Sequence, residues 1–292
     1  MKACRREEGA PARELRGHLA DAARAPLKVG ILGAGAIGSV LADALDRGRA
    51  AAELIALADQ DRDKAEALAA RLASCPPVVG LDELIERTEL VVEAASQAAV
   101  AELIPKALQR RRDALVLSVG GLLGHDDWFR EAHARGCRIY VPSGAIGGLD
   151  AARAAAAGRI DAALLTSRKP IAALKGALYV RERGIDLDRL TQETVIFEGD
   201  AEQAARAFPA TSNVAASVRL ALGPQAPLRV RVAAVPGGRE NVHELKLAGE
   251  FGRLTMIVEN VPSKSNPRTS QLAAFSAVAA LESLTRSLRV GL

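Results

Sequence analysis

The run Gly33-Ala34-Gly35-Ala36-Ile37-Gly38 has the spacing GxGxxG; it follows the apolar stretch Leu27–Leu32 and opens a helical one. In such a turn the first glycine permits the tight reversal, the second lets backbone approach a pyrophosphate, and the third lets the helix pack close to the strand. Gly33, Gly35, Ala36, Ile37 and Gly38 are therefore candidate dinucleotide contacts, because free N–H groups and the positive end of the helix dipole favour phosphate there. Asp59 stands 21 residues after Gly38, at the end of the second apolar stretch. A carboxylate at that point accepts hydrogen bonds from the adenosine ribose and repels a 2′-phosphate, which favours NAD. Arg62, three residues on, would soften that preference and leaves NADP open. A glycine-rich turn without a ligand shares the spacing and is the plain alternative. Ser96, and Gly120-Gly121, fall where later strands end and the dinucleotide would cross.

His243, in Asn241-Val242-His243-Glu244, is a candidate acid/base: an imidazole with an ordinary pKa of about 6.5 accepts and returns a proton near neutrality. From spacing alone an idle strand histidine is the better-supported reading. Arg168-Lys169-Pro170 sets two cations at a strand end, suited to a carboxylate or simply solvated. Phe208–Val214 is a proline-broken helix entry in which Thr211 or Ser212 either caps the helix or faces a ligand. Val141–Gly148 is glycine-rich, fit for backbone approach to a ligand or for a hinge. His18, His125 and His133 read as surface groups. No metal-ligand cluster, carboxylate pair or nucleophile with an adjacent base is evident, so neither a bound metal nor hydrolase chemistry is expected.

These residues need a scaffold. From Leu27 the chain alternates short apolar strands with helices, and strands are expected at 27–32, 53–58, 78–79, 90–94, 114–119 and 138–141. Near-continuous apolar strands separated by helices mean a doubly wound parallel, Rossmann-type sheet of the α/β class. Residues 1–26 form an extension, 27–142 the dinucleotide-binding domain, and 143–292 an α+β substrate domain with a mainly antiparallel sheet. In that second domain Leu228–Val235, Val242–Ala248 and Arg253–Glu259 read as a meander, joined by Pro236-Gly237-Gly238 and Gly249-Glu250. A final helix, apolar at Leu272, Phe275, Val278, Leu281, Leu284 and Leu288 and capped by Thr269, is expected to return to the first domain.

The chain has 292 residues, 49% hydrophobic and 25% charged, as expected of a folded protein with a sizeable core. Its net charge of +4 is scattered and aromatics are 3%, which argues against nucleic acid. Cys4, Cys75 and Cys137 are widely spaced, so free thiols in a reducing compartment are expected. With no apolar signal region and no 18-residue apolar run, a cytoplasmic protein without a membrane partner is expected.

Several segments together resemble the L-aspartate dehydrogenase family. They are Gly30–Gly38, Val141–Asp150, Thr166–Pro170, Phe208–Ala216, Asn241–Glu244, Asn260–Ser263 and Asn266–Ser270. The likeness runs from about Leu27 to the end and is similar in plan to homoserine dehydrogenase and dihydrodipicolinate reductase. It implies NAD(P)-dependent oxidation of L-aspartate to iminosuccinate, which hydrolyses to oxaloacetate and ammonia or feeds NAD biosynthesis. By the resemblance His243 is catalytic, and Ala145 and Asn213 contact the cofactor. Arg168, Lys169, Lys264, Thr269 and Ser270 are candidate contacts to the substrate carboxylates. Lys264-Ser265 departs from the expected, often acidic, local sequence. A homo-oligomer is expected. The alternatives are a reductase of a related amino-acid precursor, or a non-catalytic NAD-sensing protein that needs the glycine turn but not His243.

Overall fold

A computed structural model of the chain describes residues 25–209, 212–261 and 270–291. These divide into two compact units. The first comprises the described residues up to Ser118, His125–Pro142, and Ala277 onward; the second comprises Val119–Gly124 and Ser143–Ser276.

In the first unit β1 (Leu27–Leu32), α1 (Ala36–Asp46), β2 (Ala52–Ala58), α2 (Arg62–Ala69), α3 (Leu81–Arg87), β3 (Leu90–Glu93), α4 (Gln97–Gln109), β4 (Asp113–Val116), α5 (Asp126–Arg135) and β5 (Ile139–Tyr140) follow one another. The strands form one parallel sheet in the order β2-β1-β3-β4-β5. Val29, Ile31, Val91, Val92, Leu115 and Val116 are wholly buried, as strands covered on both faces must be. The strand expected at Val78-Val79 is a single parallel bridge from Val78 to Leu57. Two apolar residues beside Pro76-Pro77 give too short a run for a ladder, since proline donates no hydrogen bond.

The second unit holds α6 (Leu149–Ala155), β6 (Ile160–Pro170), α7 (Ile171–Leu174), α8 (Leu178–Glu182), β7 (Thr194–Gly199), α9 (Ala201–Ala207), α10 (Asn213–Leu222), β8 (Leu228–Val235), β9 (Asn241–Gly249) and β10 (Gly252–Asn260). Its sheet runs β10-β9-β6-β8-β7, antiparallel except between β6 and β8. The three-strand meander is thereby corrected. β9 and β10 are a hairpin, but β6 lies between β8 and β9. The turn after β8 reverses the chain without fixing its neighbour; the eleven-residue β6 is long enough to pair with both. Ala163, Leu165, Val230, Val232, Leu245 and Leu247 line one sheet face and pack with residues of α6, α9 and α10.

Helix α11 (Gln271–Thr285) begins in the second unit and belongs to the first from Ala277. Ala277, Val278 and Leu281 join the first unit's core. Leu272, Phe275 and Leu288, expected on the buried stripe, are exposed. The i, i+3 reading drifts off the true face, which the small Ala274 and Ala277 occupy. Cys137 is a free buried thiol, whereas Cys75 is disulfide-bonded, which corrects the expectation of free thiols at that position; spacing alone does not reveal a pairing. Among the described residues no helix is long and apolar enough to cross a membrane.

Candidate active site

The glycine turn connects β1 to α1. Gly33 has φ +109°, and a Cβ there would stand 2.6 Å from the backbone of Ala94; a Cβ on Gly38 would collide with the Gly33 carbonyl. These two glycines are required by the fold itself. Gly35 differs: the nearest atoms to a Cβ would be Lys64 Nζ at 3.9 Å and the Ala94 carbonyl at 4.0 Å, an ordinary fit. It also takes the N-cap of α1 without offering a side-chain cap, so the first-turn N–H groups at Ala36, Ile37 and Gly38 have no side-chain acceptor from it. Open space over uncapped N–H groups is what a bound pyrophosphate needs, so the turn fits a dinucleotide. Asp59 follows β2 and accepts from Ala34 N at 2.6 Å and from Asp61 N at 2.9 Å, which fixes its charge beside the turn. Arg62 is drawn to Glu66 at 2.8 Å.

The C-terminal ends of β3 and β4 are joined by a residue that pattern reading missed. Glu93 is wholly buried. One carboxylate oxygen accepts from Ala95 N and Ser118 Oγ, each at 2.8 Å; the other accepts from Ser118 N at 2.9 Å and Leu117 N at 3.3 Å. Burial pushes its pKa up, against the pull of those donors. Its last place in the run Leu90-Val91-Val92-Glu93 was the available signal. Ser96 Oγ accepts from Ala99 N at 3.2 Å and caps α4.

In the second unit β6 and β9 are antiparallel, with Ser167 opposite His243. Side chains alternate along a strand, so Ser167, Lys169, Asn241 and His243 share the helix-covered face with Leu165 and Leu245. They form a buried polar end to an otherwise apolar layer. His243 is 3% exposed, and its Nδ1 lies 2.9 Å from Ser167 Oγ. Burial, and then the charge of Lys169, lower its pKa to about 3, so the imidazole is neutral. Lys169 is 4% exposed, and burial alone brings its pKa down to about 8. Two buried titratable groups, both lowered by desolvation and one of them also by the other's charge, make this polar end the candidate site of the second unit. Ser167 was missed because its role depends on cross-strand register.

Arg168 points to the opposite face from Lys169. It binds Glu193 and Glu244, both at 2.9 Å, and Glu244 also pairs with Lys246. The expectation that Arg168 and Lys169 act together on a carboxylate is corrected, because neighbouring strand residues face opposite ways. Ser270 is buried; its hydroxyl donates to Asn260 Oδ1 at 2.6 Å and accepts from Leu272 N at 3.1 Å. Asn260 Nδ2 in turn donates to the Ala145 carbonyl at 2.9 Å, so Ser270 supports the Ala145 segment and its single O–H donor is already used. Asn213 opens α10, and its Oδ1 accepts from Gly120 N at 3.3 Å. Ser212 Oγ donates to the Ala204 carbonyl at 2.7 Å. Thr211, Lys264 and Thr269 lie outside the described residues.

Two family models match the chain. The family described as "Aspartate dehydrogenase, C-terminal" matches residues 150–284, and "Homoserine dehydrogenase, NAD binding domain" matches 33–142. An L-aspartate dehydrogenase of Methanosarcina acetivorans is 45% identical over 269 residues, covering 91% of this chain and 99% of that protein. One from Methanocella arvoryzae is 46% identical, covering 90% and 99%. The crystal structure of aspartate dehydrogenase from Thermotoga maritima superposes with a TM-score of 0.69 at 26% identity, covering 90% of this chain and 99% of that one.

Proposed function

This chain belongs to the aspartate dehydrogenase family, and from that premise we propose that it oxidises the CH–NH2 group of L-aspartate reversibly with NAD. The product is iminosuccinate, which hydrolyses to oxaloacetate and ammonia or passes to NAD biosynthesis. The observation that carries this reading is the neutral, buried His243 beside a buried lysine cation on one sheet face.

Gly33, Gly35, Ala36, Ile37, Gly38, Asp59 and Ser96 would hold the dinucleotide, and the family resemblance adds Ala145 and Asn213 as cofactor contacts. When bound, the nicotinamide supplies the acceptor for the hydride of the substrate's Cα. Lys169 holds a substrate carboxylate. That anion offsets the lysine charge that disfavours protonated His243, so substrate binding itself makes the imidazole a better base. His243 takes one proton from the substrate ammonium while the hydride leaves Cα, and the C–N bond becomes double. Ser167 fixes the ring through Nδ1. In hydrolysis the same imidazole moves the proton of the attacking water. The fixed carboxylate of Asp59 supports NAD over NADP, with the Arg62 charge offset by Glu66.

A cytoplasmic homo-oligomer belongs to the same reading. Val195 and Ile257 support the oligomer, being exposed on the sheet face opposite His243. The test of function is a steady-state assay with L-aspartate and each nicotinamide cofactor, and in reverse with oxaloacetate plus ammonia against other oxo acids. Turnover of aspartate with NAD is expected. Preference for another oxo or imino acid would make the chain a neighbouring reductase, and NADH binding without turnover would make it a sensor.

A further inference from the structure

Among the described residues of the second unit two buried side-chain atoms lack a hydrogen-bond partner, Arg219 Nε, which has the Glu202 carboxylate at 3.8 Å, and Asn241 Oδ1. Asn241 is 4% exposed, and among the described residues its Oδ1 has no hydrogen-bond partner. A buried amide oxygen left without a donor costs roughly 1–3 kcal/mol, so its persistence calls for an explanation. Its position supplies one. The β6–β9 register pairs Ser167 with His243 and Arg168 with Val242; carried one residue further, it sets Lys169 across from Asn241. Directly opposed side chains on one face have Cβ atoms about 4.5–5.5 Å apart. A cation without an anion therefore stands next to an acceptor without a donor, and the two do not satisfy each other. His243, two residues from Asn241, faces the same way.

A ligand that completes both must present an anionic oxygen and an N–H donor about one residue-width apart. An α-amino acid head group does this: its carboxylate meets Lys169 and its nitrogen donates to Asn241. We propose that Asn241 is the residue that selects an amine or imine substrate, by accepting a hydrogen bond from the nitrogen that loses its proton to His243. This inference rests on the aspartate reading above and adds to it the group that recognises nitrogen. A ketone offers no donor to Asn241 and would leave its oxygen buried and unpaired, which disfavours it.

The test compares wild type with Asn241→Leu, close in size but without an acceptor, and with Lys169→Met. The readouts are kcat/KM for L-aspartate, the inhibition constant of succinate against aspartate, and NADH affinity by fluorescence titration. Succinate carries both carboxylates and no amine. In Asn241→Leu, kcat/KM for aspartate should fall roughly 10- to 100-fold while succinate inhibition and NADH affinity stay at wild-type values. In Lys169→Met, both aspartate turnover and succinate binding should weaken. Unchanged aspartate kinetics in Asn241→Leu overturns the proposal, and so does equal weakening of succinate and aspartate, which would mark a merely structural role. If Asn241→Leu fails to melt cooperatively, Asn241→Ala is judged by the same criteria. A wild-type protein that binds NADH but does not oxidise aspartate overturns the underlying reading as well, and that result is read first.

Discussion

At Lys169 two neighbours in sequence take opposite tasks. Arg168 is neutralised by Glu193 and Glu244, while Lys169 is buried and makes no ion pair among the described residues. Because burial lowers the pKa of Lys169 from 10.5 to about 8, its charge is present below pH 8 and lost above it. The inhibition constant of succinate should therefore rise about tenfold per pH unit above 8 in wild type and stay flat in Lys169→Met. The stability consequence has the opposite sense. Between pH 8 and 10.5 the unfolded chain binds the proton that the folded chain has released, so the penalty for burying this lysine shrinks as pH rises. His243→Ala should lower kcat by about 10² or more with NADH affinity nearly intact, read by steady-state kinetics beside a fluorescence titration. Residue types made His243 and Lys169 legible in the sequence. Ser167 and Asn241 were not, because serine and asparagine carry no spacing signal and become partners only through the register of β6 and β9.

Most elements of the first unit were legible, since apolar strands alternate with helices and the glycines mark the turn, but the strand expected at Val78-Val79 is a single bridge and the one expected at 114–119 ends at Val116. Its three glycines should separate under mutation. Gly35→Val should abolish NADH binding while leaving the melting temperature near wild type, as only the ligand needs that space. Gly38→Ala should destabilise the fold itself, by about 1–3 kcal/mol in denaturant titration, because the new methyl meets backbone. Glu93→Gln turns an amide NH2 toward backbone donors and should cost about 1–3 kcal/mol in the same measurement. In the second unit the strands were legible and their order was not. Turn chemistry at Pro236-Gly237-Gly238 predicts a reversal, but adjacency was decided by β6, more than 50 residues earlier in the chain. The C-terminal helix was read correctly at Val278 and Leu281 but misled in its first turns, where the buried positions are Ala274 and Ala277, which hydropathy ranks below the exposed Leu272 and Phe275.

Across the whole molecule, the face of the second sheet away from His243 carries a charge lattice around Glu198 and Glu244 with exposed Val195 and Ile257 at its margins. Ile257→Lys should shift the mass measured by light scattering toward the monomer with the monomer fold retained. An unchanged mass would remove this face from the assembly. Helix α11 has a different consequence, one that concerns time. The core of the first unit is completed by Ala277, Val278 and Leu281, more than 130 residues after its last strand, β5. On the ribosome, the glycine turn and all five of its strands emerge long before the residues that cover them. The nascent first unit must wait, with part of its apolar surface unsheltered, until α11 has been made, and a message cut short at Ser276 would yield a product suited to chaperones and proteases rather than to ligand binding.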